Sequence, residues 1–180
     1  MNLRQLFGLS LVNRRDQVAL EWAGATHTFG DLDARSNRMA HALVSRGLAS
    51  GDRLCVYLPN GIGMIDLYLA SIKLGVIFVP INILYREREI SHILADAEPK
   101  LYVTEAELGE ITASDLIGKA RALPGIGPIL VLAANPDVAT AVRVMQAGAA
   151  DVIVKPFDLK FLIDRLRRAQ ARPDPPDARK

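Results

Sequence analysis

The chain has 180 residues, 50% of them apolar and 23% charged, which is enough apolar surface to offset the entropy of ordering a chain and so excludes disorder. Its single cysteine, Cys55, excludes an internal disulfide and a cysteine-cluster zinc site, and a chain of this size buries enough surface to fold without either. A net charge of +2 is too weak to argue for nucleic acid, and the longest nearly uninterrupted apolar stretch, residues 74–84, falls short of the ~20 residues that a membrane helix needs.

Residues 1–15 contain Arg4, Arg14 and Arg15 and no acid before Asp16. Leu3, Leu6, Phe7 and Leu11 stand at helical spacing, which predicts a leading surface helix that docks its apolar stripe onto a core. The acid-poor, amphipathic start is also the composition of a mitochondrial presequence. Residues 18–22 and 26–29 flank Ala23-Gly24-Ala25 and predict a β-hairpin. Thr28, three residues before Asp31, predicts an N-cap. The helix after it places Leu32, Ser36, Met39, Ala40, Leu43 and Val44 near one face and stops at Gly47.

From there strands and helices alternate. Strands are predicted at 53–58, 76–79, 101–103, 129–132 and 152–154, and helices at 62–74, 86–95, 114–122, 136–147 and 159–169. Asn82 or a residue just after it is expected to cap the helix over 86–95. Residues 171–180, with Pro173, Pro175 and Pro176 among charges, predict a disordered tail. The strand spacing suits right-handed βαβ crossovers. The fold class expected is therefore α/β, with a parallel sheet of about five strands and helices on both faces, flavodoxin- or Rossmann-like, entered through an N-terminal β-hairpin.

Functional groups of such sheets lie beyond the carboxyl ends of the strands. Those ends are Pro59-Asn60-Gly61, Pro80-Ile81-Asn82, Thr104-Glu105, Ala133-Ala134-Asn135 and Lys155-Pro156, a set with one carboxylate and one ammonium. Gly61-Ile62-Gly63 is the nearest approach to a phosphate-cradling loop, but the third glycine and the Lys-Ser/Thr pair are absent, and a turn followed by a helix N-terminus is the ordinary reading. Glu89, His92 and Asp96 share a helix face, which suits either a metal or a solvated face of i,i+3 and i,i+4 pairs, the latter favoured. Cys55, inside a strand, reads as a core residue. No catalytic, cofactor-binding or metal-binding residue is assigned, and no cofactor is expected.

Residues 15–105 resemble the N-terminal part of the adenylate-forming acyl-CoA synthetases, the AMP-binding ligases. The ordered matches include Thr28-Phe29-Gly30-Asp31-Leu32, Ser36-Asn37-Arg38-Met39-Ala40, Gly51-Asp52-Arg53, Leu58-Pro59-Asn60, Leu69-Ala70-Ser71-Ile72-Lys73-Leu74-Gly75-Val76 and Val79-Pro80-Ile81-Asn82, and they close with Asp96-Ala97-Glu98-Pro99-Lys100. The resemblance implies that this region is scaffold. The family's phosphate loop, its ATP- and magnesium-touching acidic motif, its ribose-binding aspartate and its catalytic lysine all come later and have no match in this sequence. Adenylation is chiefly positioning and electrostatic stabilisation, so a chain without those groups is not expected to be an enzyme. If active, it would be an ATP-dependent acyl-CoA ligase relative lacking the phosphate loop.

Residues 124–170 resemble the second half of a response-regulator receiver domain. Pro128-Ile129-Leu130-Val131-Leu132, Asp137-Val138-Ala139-Thr140-Ala141-Val142 and the run from Met145-Gln146-Ala147-Gly148-Ala149 to Val154-Lys155-Pro156-Phe157-Asp158 carry the likeness. It implies a switch-lysine role for Lys155, with Glu105 as its charge partner if both pieces share one sheet. That pair reads either as a mimic of a phosphorylated state or as a rim salt bridge worth less than ~1 kcal/mol. The family's switch Ser/Thr and aromatic are replaced by Ala133 and Val152.

The organisation expected is one composite α/β domain over 1–170, made of a synthetase-like part at 1–107, a seam at 108–127 and a receiver-like part at 128–170, followed by the tail at 171–180. The main functional reading is a two-family chimera without complete catalytic machinery. The alternatives are a truncated acyl-CoA ligase that retains acyl or nucleotide binding, and a degenerate receiver-like interaction module. A protein partner is placed on the face formed by 139–169, with no nucleic acid and no membrane, and the location expected is cytoplasmic.

Overall fold

A computed structural model describes residues 3–105, 107–108, 111–133 and 136–154. The tail at 171–180, the helix expected over 159–169 and Lys155 lie outside the described residues. Helix α1 (Leu3–Ser10) leads into strands β1 (Val18–Trp22) and β2 (Ala25–Thr28), which pair antiparallel. Ala23 at φ 50° and Gly24 at φ 78° form their turn, the left-handed geometry whose twist matches the flanking strands.

Helix α2 (Phe29–Ser45) starts at Thr28. The Thr28 hydroxyl accepts the Asp31 N–H at 3.1 Å, and the Asp31 carboxylate accepts the Thr28 N–H at 2.9 Å, so two orphan donors are satisfied reciprocally. This is the cap that the sequence predicts. Then follow β3 (Arg53–Tyr57), α3 (Ile62–Leu74), β4 (Ile77–Pro80), α4 (Glu87–Ala97) and β5 (Leu101–Glu105). A short antiparallel pair, β6 (Glu107–Leu108) and β7 (Ile111–Thr112), precedes α5 (Ala113–Ala122), β8 (Ile129–Ala133), α6 (Val138–Gln146) and β9 (Asp151–Val154).

Strands β4, β3, β5, β8 and β9 form one sheet in that order, and every pairing is parallel. In order of appearance this is 2-1-3-4-5, the flavodoxin-like winding. Alternation along the strands separates two layers. Leu54, Val56, Leu101, Val103, Leu130 and Leu132 meet Met39, Leu43, Leu67 and Ala70 of α2 and α3. Cys55, Tyr57, Tyr102, Ile129 and Val131 meet Ile90, Leu94, Ile117 and Val144 of α4, α5 and α6. Each fully buried side chain of this size contributes roughly 1.5–3 kcal/mol. The expected α/β sheet with helices on both faces is present.

Three details differ from the sequence reading. Helix α1 has no buried residue, and Leu3 and Leu6 stand 59% and 45% exposed, so its leucine stripe does not enter the core. The helix lies on the outside of α3, where one contact is an ammonium on a ring, with Lys73 Nζ 5.4 Å from the Phe7 centroid. Asn82 does not cap α4. Its side chain accepts the Leu84 N–H at 2.9 Å in a local turn, and Glu89 reaches back to the N–H of Arg86, the true N-cap, at 3.1 Å. The β6–β7 pair is absent from the sequence reading because two-residue strands are too short to show alternation. No helix among the described residues is long and apolar enough to cross a membrane.

Candidate functional site

The strand order reverses between β3 and β5, and the chain leaves the two strands in opposite directions there, opening a crevice at their carboxyl ends. A cleft of about 700 Å³ occupies this position. Its floor is Leu58, Pro59, Asn60 and Gly61 after β3, with Glu105 ending β5 and Leu132 from β8. One wall is Ile62, Gly63, Met64 and Asp66 of α3, another is Arg35 and Met39 of α2, and Trp22 and Ala23 of the hairpin tip form the rim. The Trp22 indole lies against the turn, where a Cβ placed on Gly61 would stand 3.8 Å from the ring. The volume falls in the range of small-molecule sites, and the lining is mostly apolar with a few convergent polar groups, the usual make-up of such sites.

The principal polar feature is an ion pair. Arg35 Nε and Nη2 donate to Asp66 Oδ1 and Oδ2 at 3.0 and 2.5 Å, a two-pronged geometry that fixes both side chains and ties α2 to the first turns of α3. The Asp66 side chain is only 4% exposed and that of Arg35 32%. Burial pushes the Asp66 carboxyl above its usual 3.8, against the pull of Arg35, His27 and Arg38. A second clamp lies on the same helix pair. Asp33 accepts from Lys73 Nζ at 2.7 Å and from Arg15 at 3.2 Å. Burial works against ionisation of Asp33, but these two cations hold its pKa below the ordinary value.

Of the strand ends picked out from sequence, Pro59-Asn60-Gly61 and Glu105 meet in this cleft, while Ile81 after β4 is buried. Ala134, Asn135, Lys155 and Pro156 lie outside the described residues, so the pairing of Glu105 with Lys155 has no structural counterpart here. Gly61-Ile62-Gly63 is a turn opening α3, as the ordinary reading has it. Among the described residues no group of three His, Cys, Asp or Glu side chains is placed to hold a metal, the Glu89–His92–Asp96 trio included. Cys55 is fully buried, and burial drives its thiol up to about 12, far from a nucleophile's range.

Sequence reasoning missed Arg35, Asp66 and Trp22. Asp66 carried a usable signal: a carboxylate inside the apolar run Ile62–Leu74, on the helix face shared with Leu67 and Ala70, is a buried charge that demands a partner. Trp22 carried none, because only the folded hairpin brings it over residue 61.

The AMP-binding enzyme family matches residues 10–176. A probable non-canonical nonribosomal peptide synthetase, CymA, of Salinispora arenicola is 36% identical over 104 residues, covering 58% of this chain and 1% of that protein. The fatty acid–[acyl-carrier-protein] ligase ScoC of Streptomyces coeruleorubidus is 30% identical over 136 residues, covering 76% of this chain and 24% of that ligase. Among solved structures, ATP-bound MatB from Rhodopseudomonas palustris superposes with a TM-score of 0.61 at 30% identity, over 83% of this chain and 28% of that one. The chain thus spans less than a third of the length of each.

These matches correct the two-family reading. The family match runs through residues 124–170, and none of the comparisons points to a receiver, so the chimera, two-component and receiver-module readings lose their support. The features that suggested a receiver are general requirements of a βα repeat. Gly148, at φ 104°, turns the chain after α6, and Val152 and Ile153 form a buried strand that any parallel sheet needs at this position. The glycine turn and apolar strand that looked foreign complete the same five-stranded sheet, and the chain belongs to the AMP-binding enzyme family.

Proposed function

We propose that this chain supplies part of the α/β scaffold of an adenylate-forming ligase of the acyl-CoA synthetase type, and that its switch-point cleft holds the apolar, acyl portion of a ligand. The observation that carries this reading is the position and lining of the cleft. It opens at the carboxyl ends of β3 and β5, where doubly wound sheets bind their ligands, and Trp22, Met39, Leu58, Ile62, Met64 and Leu132 give it an apolar interior. Two methionines suit a site that must follow the shape of an alkyl or aromatic body, because an unbranched thioether repacks at little cost.

Trp22 is the one tryptophan of the chain and forms the rim of the cleft, so its emission reports directly on occupancy. Titration with octanoyl-CoA is expected to change Trp22 fluorescence saturably, whereas CoA alone and ATP leave it unchanged. A response to CoA equal to that of the acyl thioester, or no response to any of the three, would refute acyl binding in this cleft. A saturable response to ATP alone would transfer the reading to nucleotide binding.

A further inference from the structure

The ion pair in the cleft wall uses only one edge of its guanidinium. Arg35 donates to Asp66 through Nε and Nη2, the side-on edge of a planar group that carries five N–H donors. The end-on edge, formed by Nη1 and the outer N–H of Nη2, makes no hydrogen bond among the described residues. Asp31, one turn earlier on α2, does not take it. The Asp31 carboxylate accepts the Thr28 N–H and hydroxyl at 2.9 and 2.8 Å and feels Arg35 as a nearby charge. Both members of the pair line the cleft, but the Arg35 side chain is 32% exposed and that of Asp66 4%. The accessible part of the pair is therefore the guanidinium. Its two bonds to Asp66 fix the plane of the group, so the outer edge is oriented before any ligand arrives. Asp66 also balances the charge of Arg35, and what the pair offers is directed hydrogen-bond donation rather than a net field.

We propose that the outer edge of the Arg35 guanidinium donates to the carbonyl oxygen of an acyl group whose apolar body fills the cleft, with Asp66 as the residue that positions Arg35. The inference rests on the cleft being an acyl site and names the group that anchors the acyl oxygen. A neutral carbonyl suits the pair, because it accepts hydrogen bonds without bringing a charge that the apolar lining of Met39, Leu58, Ile62, Met64 and Leu132 would have to desolvate. A hydrogen bond from a charged donor contributes more than one between neutral groups. Arg35 is a third exposed and shares its charge with Asp66, which puts the gain at the lower end for such bonds, about five- to tenfold in affinity.

Two probes that differ by one oxygen test it on the full chain, each followed by Trp22 emission: octanoyl-CoA and S-octyl-CoA, the thioether with a methylene in place of the carbonyl. The thioester is expected to bind about five- to tenfold more tightly. The double variant Arg35→Met/Asp66→Leu removes both charges, so neither is left buried alone. It is expected to bring the thioester down to the level of the thioether, while the thioether itself stays within twofold. Equal binding of the two probes by the unsubstituted chain overturns the carbonyl anchor and leaves the cleft an acyl site, and this comparison stands even if the double variant does not fold. A thioester preference that survives in the double variant assigns the oxygen to another donor of the lining, such as Asn60, and overturns the role of Arg35. Absence of a saturable response to either probe overturns both readings.

Discussion

The two helical layers that cover the sheet bury different chemistry. The α2–α3 side holds Ser36, Arg46, Asp66 and Ser71 among its buried residues, whereas the buried polar residue described on the α4–α5–α6 side is Thr104, a residue of the sheet itself. The two serines satisfy themselves within their helices, Ser36 donating to Leu32 O at 2.6 Å and Ser71 to Leu67 O at 2.8 Å. The two charges need partners from other elements. Asp66 has Arg35 of α2, and Arg46, whose pKa burial lowers to about 10, has the opposing charge of Asp151 at the start of β9. A buried charge is costly unless paired. The chain therefore accepts that cost on one layer only, the layer that also walls the cleft. One side is built for cohesion and the other walls the cleft, and substitutions on the two should behave differently.

The largest expected effect is on the polar side. Arg35→Met leaves Asp66 buried without its partner and is expected to cost about 3 kcal/mol, a fall of about 6–12 °C in Tm for a chain of this size. Asp66→Asn should cost less, because Arg35 is a third exposed and can turn to water. The loss from Arg35→Met should also depend on pH. The Asp66 pKa is raised above 3.8 by burial, so the native state holds that proton more tightly than the unfolded chain. Its contribution is then most favourable below 3.8 and declines as pH rises through the native value. Removing Arg35 raises the native value further, so the gap in Tm between the two proteins should widen from about pH 4 to about pH 7. A gap independent of pH would show that the carboxylate is not what Arg35 stabilises.

A smaller effect is expected where both layers depend on one close approach. Gly127 donates its N–H to Pro99 O at 3.0 Å as the chain enters β8, and a Cβ there would stand within 1.9 Å of Lys100 O. The obstruction is backbone, so Gly127→Ala must shift β8 against β5. Overpacking of this kind costs about 1–3 kcal/mol, or about 2–12 °C in Tm. Because β5 and β8 underlie both layers, the response of Trp22 to cleft probes should weaken together with stability. Loss of stability with an unchanged probe response would mean that the cleft does not depend on the β5–β8 register.

The fold was legible in the sequence to the extent that each element had a local cause. The Thr28–Asp31 cap, the glycines after α2 and α3 and the apolar strands are local signals, and all appear where periodicity and turn chemistry put them. The cleft was legible in part. Pro59-Asn60-Gly61 and Glu105 follow from the rule that ligands bind beyond strand ends, but Trp22, Arg35 and Asp66 reach the cleft from the hairpin and from two helices, through contacts that no local pattern encodes. The failure at α1 has the same origin. Its leucine spacing shows that a stripe exists but not whether the fold leaves a surface to receive it. The receiver likeness failed for the opposite reason, because a glycine turn and a buried strand are strong local signals that many α/β chains share.

The smallest predicted effect tests the cohesive layer. Tyr102 is fully buried on β5, opposite Cys55 of β3 and Ile129 of β8. Its hydroxyl has no hydrogen-bond partner among the described residues, and burial pushes the phenol pKa well above its usual value. A desolvated hydroxyl without a partner is a cost that the ring's packing must offset. Tyr102→Phe keeps the ring and removes the oxygen, so stability should stay within about 0.5 kcal/mol or rise by up to about 1–2 kcal/mol, read from urea midpoints at unchanged slope. Thr104, on the same side of the strand, gives its hydroxyl to Glu105 O over a long 3.4 Å, a bond weak enough to be exchanged for one with Tyr102. A loss above about 1 kcal/mol would mean that this exchange takes place. The α4–α5–α6 layer would then hold a polar pair of its own, and the division between a cohesive side and a cleft side would reduce to the Arg35–Asp66 and Arg46–Asp151 charges alone.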